Sequence, residues 1–344
     1  MTHEQYMARC ITLARKGAGA AAPNPMVGAV LVHSGRIIGE GWHRAHGGPH
    51  AEVNCIADVL PTDQHLIGQS TLYVSLEPCT HYGKTPPCAD LIVKHKIPKV
   101  VVGCVDTFSE VAGKGIERMQ AAGMEVTVGI LEHECRELNK RFFARQEKQR
   151  PYIILKWAES ADGFIAPPQG KRVMLSNDFS QLWVQKMRSE EGAILVGYRT
   201  ALLDNPSLTN RYGSGPQPAR IVIDPLLNLP ANLRIFDQTN KTIVVNNMRE
   251  GTEGNITWLK LNDTENMPNA ICRHITNINS IIVEGGSQTL QSFIAADLWD
   301  EAFVISTPVL LGNGVAKPIL TNAHRVSSWP IGIDTVRHFT KCKT

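Results

Sequence analysis

Apolar residues recur at helical spacing near the start of the chain, where Tyr6, Cys10, Leu13 and Ala14 share one face of a predicted helix. From residue 25 the pattern changes to short β-rich runs. Residues 28–43, GAVLVHSGRIIGEGWH, read as a hairpin whose strands join at Ser34-Gly35. A helix is predicted from about His50, then a strand at TLYVSL, then a helix in TPPCADLIVKHK, where proline suits the first turn. KVVVGCV, a helix from about Gly115, MEVTVGI and a single helix through EHECRELNKRFFARQ complete a three-layer α/β unit.

The polar run RQEKQRP marks a boundary near residues 145–150. Beyond it, strands are predicted at YIILKWA, AILVG, ARIVID, TIVVNN, SIIVEGG and EAFVIS, with a helix through SQLWVQKMRSEE. Residues 204–218 and 247–270, rich in Pro, Gly, Asn and Asp, read as loops. The expectation is therefore two α/β domains, residues 1–147 and 151–344. The length of 344 residues agrees, being too great for one ordinary domain.

Composition narrows the class. With 43% hydrophobic and 19% charged residues the chain reads as soluble and globular. A net charge of +3 without any Lys/Arg run argues against a nucleic-acid partner, although a small phosphorylated substrate needs only a few local positives. No apolar run reaches the roughly 18 residues of a membrane span, and the first helix lacks the apolar core of a signal peptide. The eight cysteines are scattered, which fits reduced thiols in a cytoplasmic protein, with any special cysteine a metal ligand.

Residues 50–88 carry the candidate chemistry. His50, Cys79 and Cys88 are three good zinc ligands, and a zinc ion with three protein ligands keeps a fourth position for water. If His50 opens a helix, Glu52 lies in the same first turn, placed to move protons without binding the metal. His/Cys/Cys zinc beside a non-ligand Glu is the pattern of nucleobase deaminases, although here the second cysteine follows at C-x8-C rather than C-x-x-C. The competing reading makes His50 a helix cap and the cysteines buried thiols, as is expected for Cys10, Cys55, Cys104 and Cys135. For a closed four-ligand site, His43 or His81 is the candidate fourth ligand.

PNPMVGAVLV, GWHRAHGGPHAEV and SLEPCTHYGKTPPC together resemble the N-terminal half of the bifunctional riboflavin-biosynthesis deaminase/reductase family. That family carries P-N-P-x-V-G, G-W-H-x-x-x-G-x-x-H-A-E and L-E-P-C-x-H-x-G-x-T-P-P-C in this order. The resemblance implies a cytidine-deaminase-like domain acting on a phosphorylated pyrimidine. It implies that Asn24 and His43 line the ring pocket, and that His81, Lys84 and Thr85 reach the ribose phosphate. A turn residue between prolines, for Asn24, and a solvated loop residue, for Lys84, are the bland alternatives. The loop after VVVGCVD departs from the family pattern but keeps Asp106 and Gly113-Lys114-Gly115.

In the second half, SIIVEGGSQTLQSFI reads as strand, glycine turn and helix, whose first amides suit a phosphate; an ordinary strand-to-helix turn fits equally well. LKWAESADGFIA, MRSEEGAILVGYRTALLDNPSLTNR, VEGGSQTL and TPVLLGNG resemble the reductase half of the same family, in family order. The resemblance implies a dihydrofolate-reductase-like α/β domain that uses NADPH. It places Ala158, Met174, Thr200, Asp204, Gly286, Ser287, Gln288 and Thr289 at the cofactor, with Met174 and Ser176 standing where the family often has Trp and Thr. It places Lys156, Arg188, Leu208, Arg211 and Glu284 at the substrate, and it implies homo-oligomers paired through reductase domains. Arg188 and Arg211 suit phosphate by their forked donors, or else serve in surface ion pairs. Two rivals stand beside this reading: a zinc deaminase of RNA or free nucleosides, and a non-catalytic zinc module with a nucleotide-sensing domain.

Overall fold

A computed structural model describes residues 1–80, 86–107, 112–168, 173–211, 215–262 and 266–342. The chain divides into two units, Met1–Gln149 and Arg150–Thr344.

The first unit begins with α1 (His3–Ala14), opened by a capping box in which Thr2 and Gln5 satisfy each other's backbone N–H groups. Strands β1 (Gly28–His33) and β2 (Arg36–Trp42) form the hairpin. Ser34 and Gly35 both take positive φ, 46° and 81°, as a two-residue hairpin turn requires. Then come α2 (Ala51–Ala57), β3 (Thr71–Leu76), α3 (Cys88–Lys94), β4 (Lys99–Cys104), α4 (Lys114–Ala121) and β5 (Glu125–Val128). Sheet order is β2-β1-β3-β4-β5, with β1 antiparallel to both neighbours and β3, β4 and β5 parallel.

One apolar cluster joins α1 to the sheet through Met7, Cys10 and Leu13, together with Cys135 and Phe143. The opposite face packs on Ala51, Cys55, Ile92 and Met119 of the other helices. These are the three layers of an α/β sandwich, in which near-continuous apolar strands such as β3 are covered on both sides.

The helix expected over residues 132–146 is two helices, α5 (Glu132–Leu138) and α6 (Lys140–Lys148). Asn139 breaks them. Its buried amide accepts from the Met26 N–H (2.8 Å) and donates to the Met26 carbonyl (2.9 Å), so its side chain is committed to another strand of chain.

The second unit runs β6 (Tyr152–Glu159), β7 (Phe164–Ala166), α7 (Asp178–Glu190), β8 (Ala193–Gly197), α8 (Tyr198–Asp204), β9 (Ala219–Ile223) and β10 (Thr242–Asn246). It continues with β11 (Gly251–Glu253), β12 (Ile256–Lys260), α9 (Met267–His274), β13 (Ser280–Glu284), α10 (Ser287–Ala295), β14 (Glu301–Ser306), β15 (Val315–Ala316), β16 (Ala323–Ile331) and β17 (Asp334–Lys341). The main sheet is ordered β11-β12-β10-β9-β8-β13-β6-β14-β17-β16 and is parallel from β12 to β14.

Residues 247–270 are therefore not all loop. They hold β11, β12 and the start of α9, where Asn266 caps the helix and Pro268 occupies its first turn; these residues mark a helix start. The β16–β17 hairpin carries Pro330, tolerated because β16 is an edge strand whose outer N–H row is unpaired in the sheet. Among the described residues, no helix is long and apolar enough to cross a membrane.

Candidate active sites

In the first unit, the glycines of β2 set the stage. A Cβ at Gly41 would lie 2.3 Å from the Cys55 nitrogen and 2.4 Å from the Ala51 carbonyl oxygen. Only a bare backbone lets α2 approach so closely, and α2 brings His50, at its N-cap, and Glu52, in its first turn. Cys79 follows β3, and Cys88 begins α3. The ligating atoms of His50, Cys79 and Cys88 all lie within 4.8 Å of one another. His50 Nδ1 is 3.6 Å from Cys79 Sγ and 3.3 Å from Cys88 Sγ. Ordinary zinc–sulfur and zinc–nitrogen lengths give a tetrahedral edge of roughly 3.6 Å, so this donor set fits zinc in spacing as well as chemistry.

The sulfurs are electrostatically unlike. Cys79 is pulled down to about 4, first by the hydrogen bond from the Cys88 thiol and also by His50, against burial. Cys88 is pushed up by that same hydrogen bond and by burial, while His50 is raised chiefly by its bond to Cys79. The carboxyl of Glu52, 3% exposed, is pushed up to about 7 by burial and then by Cys79, with His50 opposing. A group poised there both gives and takes protons near neutrality.

His50, Glu52 and Cys79 wall a cavity of about 220 Å³ that is also lined by Asn24, His43, Glu77, Asp106, Phe142 and Gln146. His43 Nδ1 is 3.0 Å from the Pro49 carbonyl oxygen, which can only accept, so Nδ1 carries the proton. Its Nε2 then accepts from Asn24 Nδ2 at 3.2 Å. Burial holds His43 below its usual value, in keeping with a neutral ring. With both ring nitrogens engaged, His43 is not a fourth metal ligand here. His81, Lys84 and Thr85 lie outside the described residues.

Sequence reasoning passed over Phe142 and Gln146, which reach the cavity from α6 and belong to no motif. It also quoted Glu77 within the cysteine motif without giving it a role.

In the second unit, Glu284 ends β13 opposite Lys156 of β6. The Arg188 guanidinium grips the Glu284 carboxylate with two hydrogen bonds, 2.8 and 3.3 Å, and donates to the Thr209 carbonyl at 3.3 Å. Burial pushes Glu284 up, but Arg188 and Lys156 overcome it and hold the carboxyl at about 2. Lys156 is pushed down by burial, with Glu284 opposing and Arg188 assisting.

Past Glu284, Gly285 and Gly286 take φ of 73° and 64°, and Ser287, Gln288 and Thr289 form the first turn of α10. A Cβ at Gly285 would sit 3.0 Å from Thr200 Cγ2, and one at Gly286 3.2 Å from Thr200 Oγ1. The turn is thus a cradle at a helix N-terminus, beside the C-terminal ends of parallel strands, which fits the pyrophosphate of a dinucleotide.

Leu208 is buried with φ 49°, a left-handed conformation uncommon for leucine. Ala158 lies further along β6, Asp204 ends α8, and Arg211 and Met174 are exposed.

Residues 151–338 match the model of the RibD C-terminal domain, and residues 1–104 match the cytidine and deoxycytidylate deaminase zinc-binding region. The riboflavin biosynthesis protein RibD of Aquifex aeolicus is 37% identical over 322 residues, 91% of this chain and 89% of its own. That of Escherichia coli is 34% identical over 336 residues, with the same coverage of 91% and 89%. A crystal structure of a diaminohydroxyphosphoribosylaminopyrimidine deaminase/5-amino-6-(5-phosphoribosylamino)uracil reductase from Thermotoga maritima is 35% identical. It superposes with a TM-score of 0.91 over 99% of both chains.

The chain belongs to the RibD family. It is a bifunctional deaminase and reductase of riboflavin biosynthesis that acts on small molecules. Zinc serves its deaminase domain and NADPH its RibD reductase domain. Its fold is a cytidine deaminase domain followed by a dihydrofolate-reductase-like domain.

Proposed function

We propose that residues 1–147 hydrolyse the 2-amino group from 2,5-diamino-6-ribosylamino-4(3H)-pyrimidinone 5′-phosphate, releasing ammonia. Residues 151–344 then reduce the ribosyl group of the product to ribityl. The observation that carries the first step is the meeting of three ligating atoms within 4.8 Å of one another with the buried carboxyl of Glu52 beside them at one cavity. His50, Cys79 and Cys88 hold the zinc, which when bound supplies the Lewis acidity that makes water nucleophilic near neutral pH.

Glu52 takes a proton from the attacking water and returns it to the departing amine. Asn24, its amide N–H committed to His43, keeps Oδ1 to accept from the pyrimidine ring. His81, Lys84 and Thr85 complete the substrate contacts in this reading.

In the second unit NADPH supplies the hydride when bound. Gly286, Ser287, Gln288 and Thr289 receive its pyrophosphate, with Thr200 across the turn and Ala158, Met174 and Asp204 as further contacts. Lys156, Arg188, Leu208, Arg211 and Glu284 hold the substrate, and Glu284 keeps the two nearby cations from repelling each other. A cytoplasmic homo-oligomer, paired through the second unit and without nucleic-acid or membrane partners, belongs to this reading. Weak net charge and scattered cysteines support it, and analytical ultracentrifugation tests the pairing.

The deciding experiment follows the conversion by mass spectrometry. Without NADPH, the deaminated ribosyl compound is expected to accumulate with ammonia; with NADPH, the ribityl product should replace it. Absence of the deaminated species under both conditions would overturn the proposal.

A further inference from the structure

The carboxylate of Glu77 has no part in the scheme above. Yet it is 4% exposed and, among the described residues, accepts from four backbone N–H groups. One oxygen accepts from Asp106 (3.2 Å) and Gly113 (3.0 Å), the other from Gly115 (2.9 Å) and Ile116 (3.3 Å). Glu77 follows directly on β3, and its own N–H donates to the Cys104 carbonyl at the end of β4 (3.0 Å). A single side chain therefore ties together the end of β3, the segment leaving β4 and the first turn of α4.

Helix α4 needs such a partner. Its N-cap is Gly113, at φ 79°, with no side chain to receive the orphan amides of the first turn. Glu77 supplies that acceptor from another element, and its negative charge faces the positive end of the helix. A carboxylate buried this deeply is stable because donors fill its lone pairs. Both Glu77 and Asp106 line the deaminase cavity.

We propose that Glu77 is a positioning residue for deamination: it fixes Asp106, which lines the substrate cavity, against the first turn of α4, and so sets substrate affinity rather than metal binding. The inference rests on the deaminase reading of that cavity. A role in metal support, through the adjacent Pro78-Cys79, is the rival. Against it, the four donors belong to Asp106, Gly113, Gly115 and Ile116, while Cys79 Sγ is held by the Cys88 N–H (3.4 Å) and by His50.

The test uses the full chain. Glu77→Gln keeps the volume, but its amide nitrogen cannot accept from the N–H groups that face it. The expected result is unchanged zinc content and a KM for the diaminopyrimidine ribosyl phosphate raised about tenfold, with kcat altered by less than about threefold. Hydrogen exchange should quicken at Gly113, Gly115 and Ile116, and Glu77→Asp should recover part of the KM.

Gly115→Ala provides a second approach, since its Cβ would lie 2.2 Å from the Pro78 carbonyl oxygen. It should displace the same turn and raise KM with the carboxylate intact, and it decides the matter if Glu77→Gln does not fold. Unchanged KM in both variants, or zinc lost in step with activity in Glu77→Gln, overturns the inference while an active parent protein leaves the deaminase reading standing. A parent protein that releases no ammonia from this compound overturns that reading and the inference with it.

Discussion

In the first unit, three atoms suited to zinc and a buried carboxyl come from one stretch of chain between residues 50 and 88, set by two helix starts. In the second, Lys156, Arg188, Thr200 and Glu284 come from β6, α7, α8 and β13, and the parallel sheet gathers their ends. The first arrangement is local, and its groups are tuned mainly by burial and by one another. The second depends on a buried ion pair that must be complete, since an uncompensated charge there has no water to fall back on. The local site announces its chemistry in residue types and spacing; the residues of the second were named only by family resemblance, and their pairing becomes visible in the fold.

The largest effect expected is that of Cys88→Ala. It should abolish zinc binding and ammonia release, yet leave NADPH oxidation on the deaminated intermediate intact. Metal analysis beside the two assays checks this, and a joint loss of both activities would break the contrast between the units. Glu52→Gln should keep the metal and lower ammonia release by about two orders of magnitude or more. Loss of zinc in that variant would instead make Glu52 a ligand.

Glu284→Gln sharpens the other side. It leaves Arg188 and Lys156 without their counter-charge, so the second unit should lose about 3 kcal/mol of stability in urea while the first unit's transition stays put. The pH dependence has a definite sign. Glu284 is held at about 2 when folded, below its ordinary 4.5. Its stabilisation is therefore complete above about 4.5 and is lost as pH falls from there toward 2, on the order of 3 kcal/mol in all. The Glu284→Gln protein should lack that slope.

The smallest effect belongs to Met174→Ala. At 54% exposure, its loss should shift stability by less than about 0.5 kcal/mol. Any rise in the KM for NADPH would then report direct contact with the cofactor.

The central strands and the hairpin were legible because apolar runs and a Ser-Gly turn leave few alternatives. The spacing of His50, Glu52, Cys79 and Cys88 was legible because metal chemistry restricts residue types. The break at Asn139 was not, since its cause is a pair of hydrogen bonds to distant Met26. Strand β11 hid in polar, turn-rich sequence because a three-residue edge piece needs little apolar surface, and the five-residue β12 beside it lies between the same turn-rich stretches. Phe142 and Gln146 reach the cavity from an ordinary amphipathic helix, where no motif marks them. Arg188 was expected at a phosphate or in a surface ion pair; its buried grip on Glu284 depends on strand register that the sequence does not display.

The Asn139–Met26 link has a consequence for synthesis on the ribosome. Its two residues lie 113 positions apart, and the cavity nearby in sequence is lined from Asn24 to Gln146. A chain that emerges from its N-terminus exposes His50, Cys79 and Cys88 well before residue 139 exists. The nascent protein thus holds the three candidate zinc ligands while one wall of the cavity is still unmade. Long-range closure of this kind comes late because the intervening loop must first be ordered. The proposed ligands are thus available before the pocket, which is finished only when nearly all of the first unit has been translated.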